Sequence, residues 1–153
     1  MSEIAYRLAR VSDIETLVAL RLAFLAEGGY GGPDAPWLSG ALREYFTTML
    51  RNGYFVGAIA EVAGAVVGTS GMVYDRHPPR LSNPSGVAPY IMNMYVVPEY
   101  RRRGIATSLL QTLITEARAA NCRVVTLHFW PGKSALYTKL GFVPVETEMK
   151  LEL

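Results

Sequence analysis

Residues 90–130 constrain the fold more than any other stretch. YIMNMYVV (90–97) is a nearly continuous apolar run that Pro98 ends. Such a run suits a strand covered on both faces. A charged, glycine-containing turn follows at 100–104. Ile105, Leu109, Leu110, Leu113, Ile114 and Ala117 then recur at helical spacing, predicting a helix over about 104–120. VVTLHFW (124–130) reads as another strand. Strand, helix and strand in that order make a crossover unit. It sets two strands parallel and lays the helix across one face of the sheet.

The remaining segments fit around this unit. IAYRLAR (4–10) alternates and predicts a strand. Ser12 and Glu15 form S-x-x-E, the mark of a capping box, ahead of a helix carrying Ile14, Leu17, Val18, Phe24 and Leu25. GGYGG (28–32) ends that helix. Leu38, Leu42, Tyr45, Phe46, Met49 and Leu50 predict a second helix over about 38–51, closed by Asn52-Gly53. YFVGAIAEV (54–62) and AVVGTSGMVYD (65–75) flank Ala63-Gly64 and predict a hairpin. The stretch 76–89 holds four prolines and no periodicity, so a long loop is expected there. A short helix over about 133–140 leads to Gly141. Val145, Thr147, Met149, Leu151 and Leu153 then alternate as a final strand would. The expected order is β-α-α-β-β-β-α-β-α-β, within a single domain spanning 1–153. It forms a mixed α/β sheet with helices on both faces.

Half of the 153 residues are apolar and 18% are charged, enough for a packed core and unlike a disordered chain. The net charge is only +2, and basic residues are interleaved with acidic ones, so a nucleic-acid surface is not expected. The single cysteine, Cys122, cannot close a disulfide within the chain and is expected to pack as a small apolar residue. The N-terminus has no apolar signal core, and no stretch is long enough to span a membrane. The expectation is a cytoplasmic protein.

Arg101-Arg102-Arg103 is the one concentrated exception to that charge balance. A helix start exposes unpaired N–H groups and the positive end of the helix dipole. Residues 101–106 read R-R-R-G-I-A, of the form [RQ]-x-x-G-x-[GA]. Small residues at the fourth and sixth positions leave the N–H groups open to an anion, and guanidinium forks suit phosphate. The turn thus has the makings of a phosphate or pyrophosphate cradle. It is neither a Walker loop nor G-x-G-x-x-G. On the motif alone, a solvated charged turn is the alternative.

MNMYVVPEYRRRGIATSLLQTLITEA together with SALYTKLGFVPVE resembles the GCN5-related N-acetyltransferases (the GNAT superfamily). The resemblance is specific over about 90–143 and looser over 4–75. It implies a mostly antiparallel sheet with a central, splayed parallel pair, and acetyl-CoA as co-substrate with no metal. By this resemblance Tyr95, Val96 and Val97 would line pantetheine and the thioester. Arg101, Arg102, Arg103, Gly104, Ile105, Ala106 and Thr107 would hold the pyrophosphate. Tyr137, in L-Y-T-K-L-G-F, stands where the family places the acid that protonates the leaving thiolate. A phenol with an ordinary pKa near 10 can protonate a thiolate whose acid has a pKa of about 8.5.

Transfer of an acetyl group to an amine also needs a base and oxyanion donors. The two central strands carry no Glu or Asp, where many members place one. Asn93 and Tyr90 on the first, and His128 on the second, are the polar candidates. Asn93 would orient a substrate or a water. Glu61, Asp75, His77 or a water relay remain open as the base. Oxyanion donors near Tyr95 and Val96 would require a bulge that the sequence does not reveal. Many members also carry an asparagine seven residues before the tyrosine, where this chain has Trp130. Trp130 would pack instead, and Lys133 or Ser134 could reach the CoA phosphates. The implied reaction is transfer to a primary amine. A non-catalytic acyl-CoA sensor, or transfer of a longer acyl group, would use the same features. The acceptor would be chosen by segments 28–37 and 76–89, where Tyr30, Trp37, Tyr74 and Tyr90 suggest an aromatic lining. Only Asp34 and Asp75 are acidic there, which disfavours polycations. Many relatives dimerise, and the last strand offers an edge for a homodimer.

Overall fold

The sheet grows from a two-residue turn. In the computed structural model, which describes residues 2–31 and 35–153, Ala63 and Gly64 take φ angles of +49° and +82°. This left-handed pair matches the twist of a tight hairpin. It joins β2 (Phe55–Val62) to β3 (Ala65–Arg76), which run antiparallel. β1 (Ile4–Leu8) pairs antiparallel with the outer edge of β2, and β4 (Val87–Val96) with the free edge of β3. β5 (Thr126–Leu127) pairs parallel with β4, Tyr90 beside Thr126 and Ile91 beside Leu127. The sheet order is β1-β2-β3-β4-β5. The expected mixed, mostly antiparallel sheet is therefore present, with its parallel pair at the β4–β5 edge of the ladder. Gly32 and Asp34 lie outside the described residues.

Alternation along the strands divides the core in two. Phe55, Ile59 and Val73 point to the face covered by α1 (Ile14–Glu27) and α2 (Trp37–Arg51), where they meet Leu17, Val18 and Phe46. Ala58, Ala60, Met72 and Ile91 point to the other face, against α3 (Ile105–Ala119) and the short α4 (Ala135–Lys139). Leu109, Leu110 and Leu113 of α3 are fully buried there. Each stabilises the fold by about 1.5–3 kcal/mol. Cys122 packs beside this cluster as a partly buried apolar residue, as expected.

Four expectations are corrected. The entry to α1 does not use Ser12. A 3-10 turn at Val11–Asp13 shifts the start, and the Asp13 carboxylate accepts the Arg10 N–H at 2.7 Å and two bonds from Arg7 at 2.8 Å. Glu15 instead ties α1 to α2 through Arg43, at 2.5 and 3.0 Å. The loop at 76–89 shrinks to 77–86, because both strands run into it. Pro89 sits opposite Tyr74 within β4, tolerated because β5 begins to pair only at the next residue. The strand expected at 124–130 is reduced to Thr126–Leu127. The final strand does not form. Residues 142–153 join no ladder, and Met149 and Leu151 stay 98% and 82% exposed. Alternation supplies a face but no partner, and a two-residue β5 offers too short an edge to recruit one. No helix among the described residues is long and apolar enough to cross a membrane.

Candidate active site

The parallel pair parts almost as soon as it forms. β5 stops at Leu127, while β4 changes course at a bulge. Gly71 faces Met92 and Thr69 faces Tyr95, so the single residue Ser70 opposes both Asn93 and Met94. Asn93 takes the left-handed φ of +60°, which asparagine tolerates better than most residues. Beyond Ile91 the β5-facing edge of β4 has no strand neighbour among the described residues. A cavity of about 470 Å³ opens there. Its walls include Asn93, Tyr95, Val96, Arg101, Arg102, the helix start at 104–107, His128, Trp130 and Tyr137. An extended, amide-bearing chain could hydrogen-bond along such an edge as an added strand would.

One end of the cavity is built for an anion. Gly104 caps α3 with a φ of +77°, and a Cβ placed on it would meet nothing within 4 Å. The N–H groups of Ile105, Ala106 and Thr107 find no backbone carbonyl. The first helical bond runs from Ser108 to Gly104, at 3.1 Å. These donors, with the helix dipole behind them, face open space. The arginines divide their duties. Arg101 is already engaged: its Nε donates to the Val96 carbonyl at 2.8 Å, and its fork grips Glu27 of α1 at 2.9 and 2.6 Å. This pair raises the Arg101 pKa and lowers that of Glu27. Arg103 donates to the Glu99 carbonyl at 3.1 Å and lies over the Tyr100 ring. Arg102, at φ +62°, lines the cavity.

The other end holds the candidates for proton transfer. Tyr137 stands on α4 between Phe129 and Phe142, with ring centroids at 6.5 and 6.1 Å. Burial raises its phenol pKa. His128 is held at both ring nitrogens: Nδ1 lies 2.8 Å from the Tyr90 hydroxyl and Nε2 contacts the Glu148 carboxylate. Burial also raises the Tyr90 pKa, against an opposing effect of the His128 backbone. The Asn93 side chain is buried, yet neither its nitrogen nor its oxygen has a hydrogen-bond partner. An unmet buried amide costs about 1–3 kcal/mol. Such a cost is characteristic of a group that awaits a ligand.

Of the residues singled out in the sequence, the structure gathers Asn93, Tyr95, Val96, Arg101, Arg102, Gly104, Ile105, Ala106, Thr107 and Tyr137 around one cavity. Arg103 and Val97 do not line it. Val97 spends its N–H on the Val67 carbonyl, at 2.9 Å. Trp130 packs, as expected, by stacking on Phe24 of α1 at 5.2 Å. A Cβ at Gly28 would strike its ring at 2.7 Å, so the glycine makes room for the indole. Lys133 also reaches the cavity. Glu61 is occupied by Arg7, while Asp75 and His77 line a separate hollow of about 430 Å³ near the 77–86 loop. Phe24, Glu27 and Glu148 were not foreseen. Each sits far in sequence from what it touches, so no local spacing could have marked it.

The sequence profile of the acetyltransferase (GNAT) family matches residues 20–142. A predicted acetyltransferase from Clostridium acetobutylicum, crystallised with acetyl-CoA, superposes with a TM-score of 0.89. It is 31% identical over 98% of this chain and 96% of its own. A GCN5-related N-acetyltransferase from Ralstonia eutropha superposes with a TM-score of 0.88, at 26% identity over 99% of each chain. A glucosamine 6-phosphate N-acetyltransferase of Trypanosoma brucei brucei is 27% identical over 122 residues, which is 78% of this chain and 81% of that protein.

Proposed function

Because this chain belongs to the acetyltransferase (GNAT) family, we propose that it moves an acetyl group from acetyl-CoA to a primary amine by direct attack within a ternary complex. One observation carries the reading: the open N–H cradle at Gly104–Thr107 and the groups Asn93, His128 and Tyr137 share one cavity. Acetyl-CoA supplies an activated thioester and a pyrophosphate. The α3 start and Arg102 hold the phosphates, and the free edge of β4 at Tyr95 and Val96 aligns the arm.

The residues at the far end manage protons. The Tyr90 hydroxyl takes a proton from the acceptor's ammonium as it passes its own to His128 Nδ1. Glu148 stabilises the imidazolium that results. The freed nitrogen lone pair forms the C–N bond, and the C–S bond breaks. Tyr137 gives its proton to the departing sulfur and recovers one from the attacking nitrogen as the amide forms, and burial keeps that phenol protonated throughout the neutral range between turnovers. Asn93 positions the acceptor or the carbonyl with its unmet amide. Its relative acting on glucosamine 6-phosphate places amino-sugar phosphates in the first acceptor panel.

The test is a thermal melt with and without acetyl-CoA, repeated on Gly104→Glu, followed by free-thiol release with a panel of amines. Stabilisation by acetyl-CoA that the variant loses, with thiol released by at least one amine, is the expected result. No shift at saturating acetyl-CoA would remove the reading. Stabilisation with no turnover on any amine would favour the sensor.

A further inference from the structure

Leu17 and Val18 are buried on the side of α1 that faces the sheet. Arg21 stands four residues after the first and three after the second, so it shares that inward face. A half-buried guanidinium is costly unless its charge is met. Among the described residues no carboxylate meets it. The acids on its own helix are committed elsewhere, Glu15 to Arg43 and Glu27 to Arg101. The other ion pairs also omit it.

Its surroundings are aromatic instead. The guanidinium lies over the Phe24 ring at 5.2 Å, and Phe24 stacks on Trp130 in the cavity wall. Burial depresses its pKa, and the Tyr45 and Tyr90 phenols lie close enough to oppose that shift. The cation is thus under-served by the protein. Tyr90 is also the hydroxyl bonded to His128, and Arg21 precedes by six residues the Glu27 that grips Arg101 at the cradle, so it stands towards the acceptor end, behind the Phe24 that lines the cavity.

We propose that Arg21 receives an anionic group of the acceptor, so that the amine substrate carries a carboxylate or a phosphate. This rests on the transferase reading above. A fork-shaped donor on an aromatic shelf matches either oxyanion bidentately.

The test needs no turnover. Protein saturated with CoA, so that the cradle is filled, is titrated calorimetrically with lactate, glycerol 3-phosphate and neutral 1,2-propanediol. At least one anion is expected to bind and the diol is not. The tighter anion tells carboxylate from phosphate. Arg21→Gln is expected to weaken the anion by about tenfold or more, Arg21→Lys by less, and both to keep wild-type CoA affinity. If Arg21→Gln loses CoA as well, Arg21→Met takes its place, since it keeps a packed stem and drops the charge. Failure of both anions to bind the wild type, or equal binding by the charge-free variant, overturns the proposal. The transferase reading fails on separate ground, by absence of thiol release from every amine while anion binding persists.

Discussion

Asn93→Ala is the substitution that best separates folding from function here. A buried polar side chain usually contributes to stability through its hydrogen bonds. Asn93 has none within the protein, and both its polar atoms are sealed from solvent. Removing the amide therefore returns about 1–3 kcal/mol of desolvation cost. Against this, alanine at the left-handed φ of +60° costs roughly 1–2 kcal/mol, a cost that asparagine partly escapes. The terms nearly cancel. Without acetyl-CoA, the unfolding free energy of Asn93→Ala should lie within about 1 kcal/mol of wild type. Turnover should fall by about tenfold to a hundredfold, the loss expected when a positioning hydrogen bond goes. Urea unfolding followed by circular dichroism measures the first, and thiol release the second. A loss above about 2 kcal/mol would mean that the amide is already satisfied in the unliganded protein, and the reasoning from an unmet group would be wrong.

Tyr137→Phe should lower kcat by about a hundredfold or more and leave CoA affinity unchanged. Burial raises the Tyr137 pKa, so the protonated acid persists past the ordinary value of 10.0, and wild-type kcat should show no alkaline loss below that pH. His128→Gln should lower kcat by about a hundredfold and Glu148→Gln by less, each with CoA affinity unchanged. Unchanged turnover in both would exclude the Tyr90–His128–Glu148 path. Arg7 hydrogen bonds hold the Asp13 carboxyl below its usual range, so its contribution is full above about pH 4 and fades as pH falls through the lower folded value. Arg7→Met should therefore cost about 2–3 kcal/mol at pH 7, with the gap to wild type narrowing towards pH 2 in denaturant unfolding.

Features that depend on a local period were readable in the chain. The apolar run at 90–97, the stripe from Ile105 to Ala117 and the small residues Gly104 and Ala106 each carry their geometry within a few residues. The bulge at Asn93 does not, because it arises from how Ser70 of β3 counts against two residues of β4. Nor does the grip of Arg101 on Glu27, which joins residues 74 apart. That contact diverts one arginine of the triplet to α1 and leaves the backbone donors of the α3 start as the main part of the proposed anion cradle. The alternation from Val145 to Leu153 misled for the converse reason. Period two describes one strand, whereas a ladder needs two.

The stack of Trp130 on Phe24 has a practical consequence. The chain has two tryptophans, and Trp37 is 69% exposed while Trp130 forms part of the cavity wall. With Trp37 replaced by phenylalanine, a single indole emitter would look into the space where the proposed donor and acceptor would meet. Its emission would report occupancy in real time, without a label and on the millisecond scale of a rapid-mixing instrument. The order in which the two substrates arrive could then be read from the molecule's own light.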